Sequence, residues 1–130
     1  MNLEGNKVTV NKSASALCTF LSNVRNFEQL MPESISKFEV IRENAFVFAL
    51  KGMPEIALET KEITQPNKVV LGAISDKLPF TLTANIEELS ENTAAAQLFF
   101  EGDFNTMMAM MIKSPISKFI ETLTTNLTKL

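Results

Sequence analysis

The sequence predicts an α+β domain in which an antiparallel sheet packs against one long C-terminal helix. Three observations lead to this fold class. Residues 35–101 alternate apolar and polar side chains in short runs separated by turn-forming residues, as antiparallel strands do. Helical periodicity occurs only before and after this region, and it is strongest in residues 104–130. Because helices and strands are segregated along the chain, the pattern predicts an α+β rather than an alternating α/β architecture.

The region before the sheet reads as one short strand followed by two helices. Residues 7–10 have the composition of a strand. Asn11 or Ser13 can cap a first helix, since apolar residues recur at helical spacing directly after them. A second, short helix is predicted over residues 24–30, because the proline after Met31 pushes that residue out of the α conformation.

Six strands follow in three pairs, and a short polar turn joins the strands of each pair. The predicted strands are residues 36–42, 45–50, 56–64, 69–75, 80–89 and 93–101. The turns are residues 43–44, 65–67 and 90–92, and the breaks between pairs are residues 52–54 and 76–79. Links of hairpin length join antiparallel neighbours. Since side chains alternate between the faces of a strand, one face of the sheet is predicted to be apolar along several strands.

A long amphipathic helix closes the chain, with Asp103 or Asn105 as its candidate N-cap. Its apolar arc consists of Phe104, Met108, Met111, Ile112, Ile116, Phe119, Ile120, Leu123 and Leu127. The apolar sheet face is the simplest partner for this arc. Pro115 lacks a backbone N–H, so we expect it to curve the helix or to start a separate helix. The functional alternative is a hinge that lets the preceding turns act as a lid.

Length and charge exclude several functional classes. The 130 residues, 45% of them hydrophobic, suit a single domain spanning 1–130. A net charge of −3 gives no electrostatic reason to expect nucleic acid or an anionic membrane surface. The lone Cys18 cannot form an internal disulfide, and neither a signal peptide nor a membrane-length apolar run is visible. We therefore expect a cytoplasmic protein without integral membrane association.

The residue types that the chain lacks bear on catalysis. It contains no His, no Tyr and no Trp. Without His it lacks the commonest general acid–base group and the commonest metal ligand. One Cys and no His also exclude the usual zinc sites. We predict no catalytic residue, no metal site and no cofactor, although Asp, Glu, Lys or Cys18 would remain available to an enzyme.

The order of elements and one local motif resemble the START-like, or SRPBCC, superfamily. The motif, residues 13–26, reads S-A-S-A-L-C-T-F-L-S-N-V-R-N. It is similar to the family's opening, in which a strand leads into a helix ending in F-L-(S/D)-(D/N)-x-x-N, and Pro32 looks like the proline that often follows. The resemblance covers essentially the whole chain. It implies a helix-grip fold in which a curved antiparallel sheet of about seven strands, in the order β-α-α-β6-α, wraps around the long C-terminal helix.

The resemblance also implies a cavity between sheet and helix that holds a lipid, a polyketide-like molecule or another apolar metabolite. We therefore predict non-catalytic binding of a small hydrophobic ligand, with Thr60 as the inward polar contact. The predicted lining residues are Phe48, Leu58, Thr60, Leu82, Leu98, Phe100, Met108, Met111 and Ile112. One alternative is an enzyme of the cyclase/dehydrase or hydrolase type. The other is a ligand-free interaction module that docks through the Met-rich part of the last helix.

Four of the seven methionines lie within residues 107–111. Core packing is the simplest explanation of such a stripe, and an adaptable cavity mouth is the functional one. Met107 and Met110 fall outside the apolar arc, so residues 107–112 are apolar almost all round and need a second partner. That partner is a loop, a ligand or a second subunit, which includes a homodimer through the Met107/Met110 region.

Overall fold

The computed structural model describes residues 1–51, 53, 55–74 and 79–130. The strands in these residues are β1 (Asn2–Glu4), β2 (Val8–Val10), β3 (Lys37–Arg42), β4 (Ala45–Ala49), β5 (Ile56–Thr64), β6 (Lys68–Ala73), β7 (Phe80–Ser90) and β8 (Thr93–Gly102). The helices are α1 (Ala14–Ser22), a 3₁₀ helix (Val24–Leu30) and α2 (Thr106–Leu127). This order confirms the predicted α+β class.

The strands form one curved antiparallel sheet in the order β1-β8-β7-β6-β5-β4-β3, and β2 also pairs with β8. The six predicted strands are all present, in three hairpins. β1 was not predicted, because its sequence N-L-E lacks the β-branched residues that identify the equally short β2, V-T-V. It exists because β8 is long enough to pair with both N-terminal strands, as in Leu3 with Phe100 and Val8 with Ala96. The predicted breaks at residues 52–54 and 76–79 lie largely outside the described residues.

Local capping explains where the first two helices begin. The backbone N–H of Ala16 donates to Ser13 Oγ at 3.1 Å, which confirms Ser13 as the N-cap of α1. Asn23 ends α1 and caps the 3₁₀ helix by accepting from the Arg25 N–H. The second helix was predicted at these residues, and it takes the tighter 3₁₀ form.

The last helix is one continuous element of 22 residues. The Met108 N–H donates to Asn105 Oδ1 at 2.8 Å, so Asn105 rather than Asp103 is the N-cap. Pro115 lies inside α2. The predicted alternative of a separate helix starting at Pro115 is therefore wrong. A proline inside a helix destabilises it by about 3 kcal/mol, and the contacts of α2 with the sheet offset this loss. No helix formed by the described residues is long and apolar enough to cross a membrane.

The core lies between the concave face of the sheet and the buried side of α2, with α1 and the 3₁₀ helix closing one end. The buried α2 residues are Ile112, Ile116, Phe119, Ile120, Leu123, Thr124 and Leu127. Asn126 Nδ2 donates to the Leu30 carbonyl at 2.8 Å and ties the end of α2 to the end of the 3₁₀ helix. The C-terminal half of α2 is thus held by the sheet on one side and by the 3₁₀ helix on the other.

Candidate functional site

The interior under the C-terminal half of α2 is filled. A cavity of only about 10 Å³ lies between the 3₁₀ helix, the sheet and α2. Its lining residues are Leu21, Phe27, Leu30, Val69, Leu71, Leu82, Ala84, Leu98, Leu123 and Leu127. That volume admits about one water molecule. This part of the domain therefore has no room for a metabolite unless the core opens.

Aromatic side chains fill the middle of the interior. The ring of Phe48 on β4 stacks on Phe119 of α2 with centroids 4.9 Å apart. Phe46 lies next to it, 5.9 Å from Phe48 and 5.4 Å from Phe27 of the 3₁₀ helix. Stacked pairs of this kind stabilise a core beyond their buried area, by about 0.5–1.5 kcal/mol each. The large number of phenylalanines in the chain is thus explained in part by core packing.

The end of the sheet beside the start of α2 is covered less completely. Five apolar residues there pack against the core but stay only partly buried: Met53, Ala73, Phe80, Phe104 and Met108. We refer to them as the half-buried cluster. They come from the connection before β5, the end of β6, the start of β7 and the start of α2, and the strand register places these strand ends at the same end of the sheet. Apolar surface at this end of the sheet therefore remains open to a ligand.

An aromatic group built around a glycine shapes this cluster. The Phe100 ring lies 4.8 Å from the Phe80 ring and 6.2 Å from the Phe104 ring. Gly102 pairs with Phe80 across the β7–β8 ladder. A Cβ on Gly102 would lie 2.5 Å from Phe104 Cε2 and 2.9 Å from Phe80 Cβ. The absence of a side chain at Gly102 therefore lets Phe104 pack over the backbone of β8 as the chain enters α2.

Most of the predicted lining residues do face the interior. Phe48, Leu58, Leu82, Leu98, Phe100 and Ile112 are buried in the core, and Met108 is half-buried beside it. Leu82 and Leu98 line the small cavity, so they belong to the filled part. Leu58 pairs with Ala73 of the half-buried cluster, so Leu58 lies between the filled interior and the half-buried cluster. Whether these residues contact a ligand stays a prediction.

The predicted inward placement of Met111 is wrong. Its side chain is 66% exposed, close to the 75% of Met107 and the 77% of Met110. The physical reason is its position at the edge of the apolar arc, about 100° around the helix from the buried Ile112. The exposure of Met107 and Met110 agrees with their predicted position outside the arc. A homodimer through these residues stays a prediction.

Thr60 faces the interior and carries an unusual polar group. It pairs with Leu71 in the β5–β6 ladder, next to a register shift between Thr60 and Glu62. Its hydroxyl oxygen is buried and finds no hydrogen-bond partner among the described residues. An unsatisfied buried hydroxyl costs about 1–3 kcal/mol, so Thr60 is a place where a bound water or a ligand group would stabilise the protein. Leu71, its ladder partner, lines the small cavity and not the half-buried cluster.

The ionisable groups with shifted pKa values take part in ion pairs or in core packing. A hydrogen bond to Glu55, which is two residues after Met53 of the half-buried cluster, raises the pKa of Lys37. A hydrogen bond from Lys61 lowers the pKa of Glu59, and Arg42 Nη2 also donates to Glu59 at 2.6 Å. A hydrogen bond from Lys68 lowers the pKa of Glu62. Burial raises the pKa of the Cys18 thiol, which keeps it in the unreactive thiol form. These shifts therefore reflect strand–strand ion pairs and core packing.

Sequence reasoning missed Met53, Ala73 and Phe80 as site residues. The strands of Ala73 and Phe80 were predicted correctly and Met53 lies in a predicted break, but the sequence gave no sign of how far α2 would cover these positions. Phe104 was assigned to the apolar arc of the helix, whereas it precedes α2 and packs on Gly102. The useful signal was the pair Phe80 and Phe104. Both are aromatic residues in elements next to Gly102, which has no side chain and leaves room for them.

Solved structures of similar shape include proteins of different activities. Norcoclaurine synthase from Thalictrum flavum, a point mutant in complex with a transition-state analogue, superposes with a TM-score of 0.74 at 10% identity, covering 99% of this chain and 92% of that one. A START superfamily protein from Mycobacterium smegmatis gives 0.68 at 12% identity over 98% and 97% of the two chains. The Zhui aromatase/cyclase from Streptomyces sp. R1128 gives 0.72 at 10% identity over 99% and 92%.

These likenesses confirm the predicted fold. The chain has the START-like helix-grip fold, and the superpositions cover 98–99% of it. No family model matches the sequence, and no curated protein matches it either. At 10–12% sequence identity these structures show the fold of this chain but not its activity. The activity has to be argued from the residues of the chain itself.

Proposed function

We propose that the protein binds a small, mainly apolar molecule non-covalently at the half-buried cluster, between the end of the sheet and the first turns of α2. The observation that carries the proposal is the unequal burial along α2. The interior under its C-terminal half is filled to within about 10 Å³, whereas the apolar side chains beside its N-terminal half remain partly open. Neighbours of this fold include a synthase with a bound transition-state analogue and an aromatase/cyclase, so the fold can hold a small molecule, which supports the proposal of a ligand site in this chain.

Burial of apolar surface supplies the binding free energy. Each 100 Å² of apolar area removed from water contributes about 2.5 kcal/mol, and the entropic cost of association offsets part of this gain. Phe80 and Phe104 offer ring faces, and Met108 offers a flexible thioether chain that adapts to the shape of the ligand. Such a surface selects for size and apolar character.

The chemistry of the cluster favours binding over catalysis. Its five described members have no ionisable side chain, and the groups with shifted pKa values near it, Lys37 and Glu59, are held in ion pairs with Glu55 and Lys61. A ligand that extends past Leu58 would meet the unpartnered hydroxyl of Thr60, which is two residues further along β5. That hydroxyl can both donate and accept one hydrogen bond, and it would orient the polar end of the ligand.

Titration with Nile red, a neutral apolar dye, tests the proposal. We expect a saturable rise in fluorescence for the wild-type protein. Met108→Gln places an amide in the half-buried cluster and is expected to weaken dye binding about tenfold, which corresponds to about 1.4 kcal/mol. Met111→Gln is the matched control, because it makes the same change on the exposed side of the same helix and is expected to leave the affinity within about twofold.

Native mass spectrometry of the purified protein, before and after organic extraction, gives an independent measurement. A mass that falls on extraction would identify a co-purified apolar molecule. The proposal is wrong if no such molecule is found and Nile red binds both the Met108→Gln and the Met111→Gln variant as tightly as it binds the wild-type protein. Equal loss in both variants would instead place dye binding on the exposed methionines.

A further inference from the structure

We propose that Met107, Met110 and Met111 form a binding site for a soft monovalent metal ion of the Cu(I) class. We call these three residues the methionine face. It lies on the side of α2 that is turned away from the sheet, so the proposal is independent of the apolar-ligand function. The described residues contain no group of three or more His, Cys, Asp or Glu side chains that could hold a metal ion, and thioethers are a separate class of donor.

Helical spacing brings the three side chains together. At about 100° per residue, Met110 and Met111 lie about 60° and 40° to either side of Met107. Residues three and four apart on a helix have Cβ atoms about 5–6 Å apart. The sulfur lies two bonds beyond Cβ on an unbranched chain with three rotatable bonds, so the three sulfurs can converge. A shared ion with metal–sulfur bonds of about 2.3 Å needs sulfurs about 4 Å apart, which this reach allows.

The exposure of the three side chains makes the sulfurs available. Met107, Met110 and Met111 are 75%, 77% and 66% exposed, whereas Met31 is 7% exposed and packs in the core. Three large apolar side chains side by side in solvent are not explained by packing. The helix beneath them is already held by the Asn105 cap and by the buried side of α2. A metal ion can therefore bind without breaking any contact of the core.

The donor type sets the choice of metal. Thioether sulfur is neutral and soft, and such ligands select Cu(I) over Mg²⁺, Ca²⁺ and the other hard ions. The chain has no His, and its one thiol, Cys18, is fully buried with a raised pKa. The methionine face thus presents exposed soft donor atoms. The chain has no imidazole and no exposed thiolate that would bind a soft ion in their place.

Silver(I), which has the same softness and no redox chemistry, is the probe for the first experiment. Protein with ¹³C-labelled methionine methyl groups is titrated with silver nitrate in chloride-free buffer, in a Cys18→Ala background that removes the thiol. We expect one equivalent of Ag(I) per chain to shift the signals of Met107, Met110 and Met111 together. Zn²⁺ and Mg²⁺ at the same concentrations should leave them unchanged.

Substitution by leucine tests the role of each sulfur. Loss of an outer-shell partner of a metal costs about 10–100-fold in affinity, so Met110→Leu, which deletes a ligand itself, should weaken binding by at least about tenfold. Leu preserves the helix and the apolar volume. Met31→Leu is the control, because it removes a buried methionine and should leave the affinity unchanged.

A competition assay with a chromogenic Cu(I) chelator under anaerobic conditions extends the test to copper itself. The proposal is overturned if Ag(I) shifts no methionine signal, or if the Met107→Leu, Met110→Leu and Met111→Leu triple variant binds as tightly as the parent. If protein with Cys18 binds the metal and the Cys18→Ala variant does not, the metal is bound by the thiol, and this result would also overturn the proposal. Nile red binding to the triple variant separates this result from the fate of the apolar-ligand proposal.

Discussion

The tight packing around Gly102 makes a quantitative prediction for the half-buried cluster. In Gly102→Ala, the new Cβ would lie 2.5 Å and 2.7 Å from two carbons of the Phe104 ring and 2.9 Å from Phe80 Cβ. Carbon atoms in contact prefer about 3.5–4.0 Å, so the closest approach is too short by about 1 Å. The Phe104 ring can rotate away, but Phe80 Cβ is attached to the strand that pairs with Gly102 and cannot.

The expected magnitude follows from two opposing effects. Overpacking of this kind costs about 1–3 kcal/mol. Alanine reduces the conformational freedom of the unfolded chain and recovers about 0.4–1 kcal/mol where the backbone conformation suits it. The backbone at Gly102 is not in the left-handed region, so that gain applies. We expect Gly102→Ala to lower the free energy of unfolding by about 1–2 kcal/mol.

Gly72→Ala is the matched control on the outer face of the same sheet. Its new Cβ would also make close contacts, at 2.7 Å and 2.8 Å, but these are with the flexible chain of Lys61, which is half exposed and can move aside. Gly72→Ala should therefore be neutral or stabilising by about 0.5 kcal/mol. The chain has no Trp or Tyr, so urea unfolding is best followed by far-UV circular dichroism. If Gly102→Ala proved as stable as Gly72→Ala, the tight packing of Phe104 over β8 would be refuted.

Three further predictions concern the helix, the ion pairs and a buried hydroxyl. Thr124 is 6% exposed, and its hydroxyl has no hydrogen-bond partner among the described residues. Thr124→Val should therefore raise the free energy of unfolding by about 1 kcal/mol. A lower free energy of unfolding in the same urea assay would show that the hydroxyl is hydrogen-bonded. Asn105→Ala removes the acceptor of the Met108 N–H and should cost about 1 kcal/mol, whereas Asp103→Ala, which removes no cap, should cost less than half of that. The lowered pKa of Glu59 stabilises the fold above the ordinary carboxyl pKa, and this contribution is lost as the pH falls through the lowered value. Glu59→Gln should therefore make stability less dependent on pH below about 4.5, and an unchanged acid slope would contradict the ion pair with Lys61.

The fold was predictable because its signals are local and repeated. Alternation specifies which residues of each strand face the core, and hairpin-length turns specify which strands pair. β5, which was predicted as residues 56–64, forms over Ile56–Thr64. β1 was not predictable in the same way, because its place depends on an unpaired stretch of β8 almost the whole chain away.

The candidate site was harder to predict because it depends on where elements end relative to one another. The helical arc located Ile112 and Phe119 correctly, since residues at the centre of an apolar arc stay buried under small rotations of the helix. Met111 lies at the edge of that arc, where a small rotation decides between core and solvent, and it turns to solvent. The residues that gather beside the start of α2 come from four separate segments, so no single stretch of sequence shows them together.

The two sides of the N-terminal half of α2 have opposite chemical demands, and this explains its composition. The inner side needs an adaptable apolar chain beside a partly open cluster, which Met108 supplies. The outer side carries Met107, Met110 and Met111 in solvent, where Lys or Glu would serve the helix equally well and keep it more soluble. Packing accounts for the inner methionine and leaves the outer three unexplained. A role that uses the sulfur atoms themselves accounts for all three at once, which is why the metal titration and the dye titration probe separate properties of one helix.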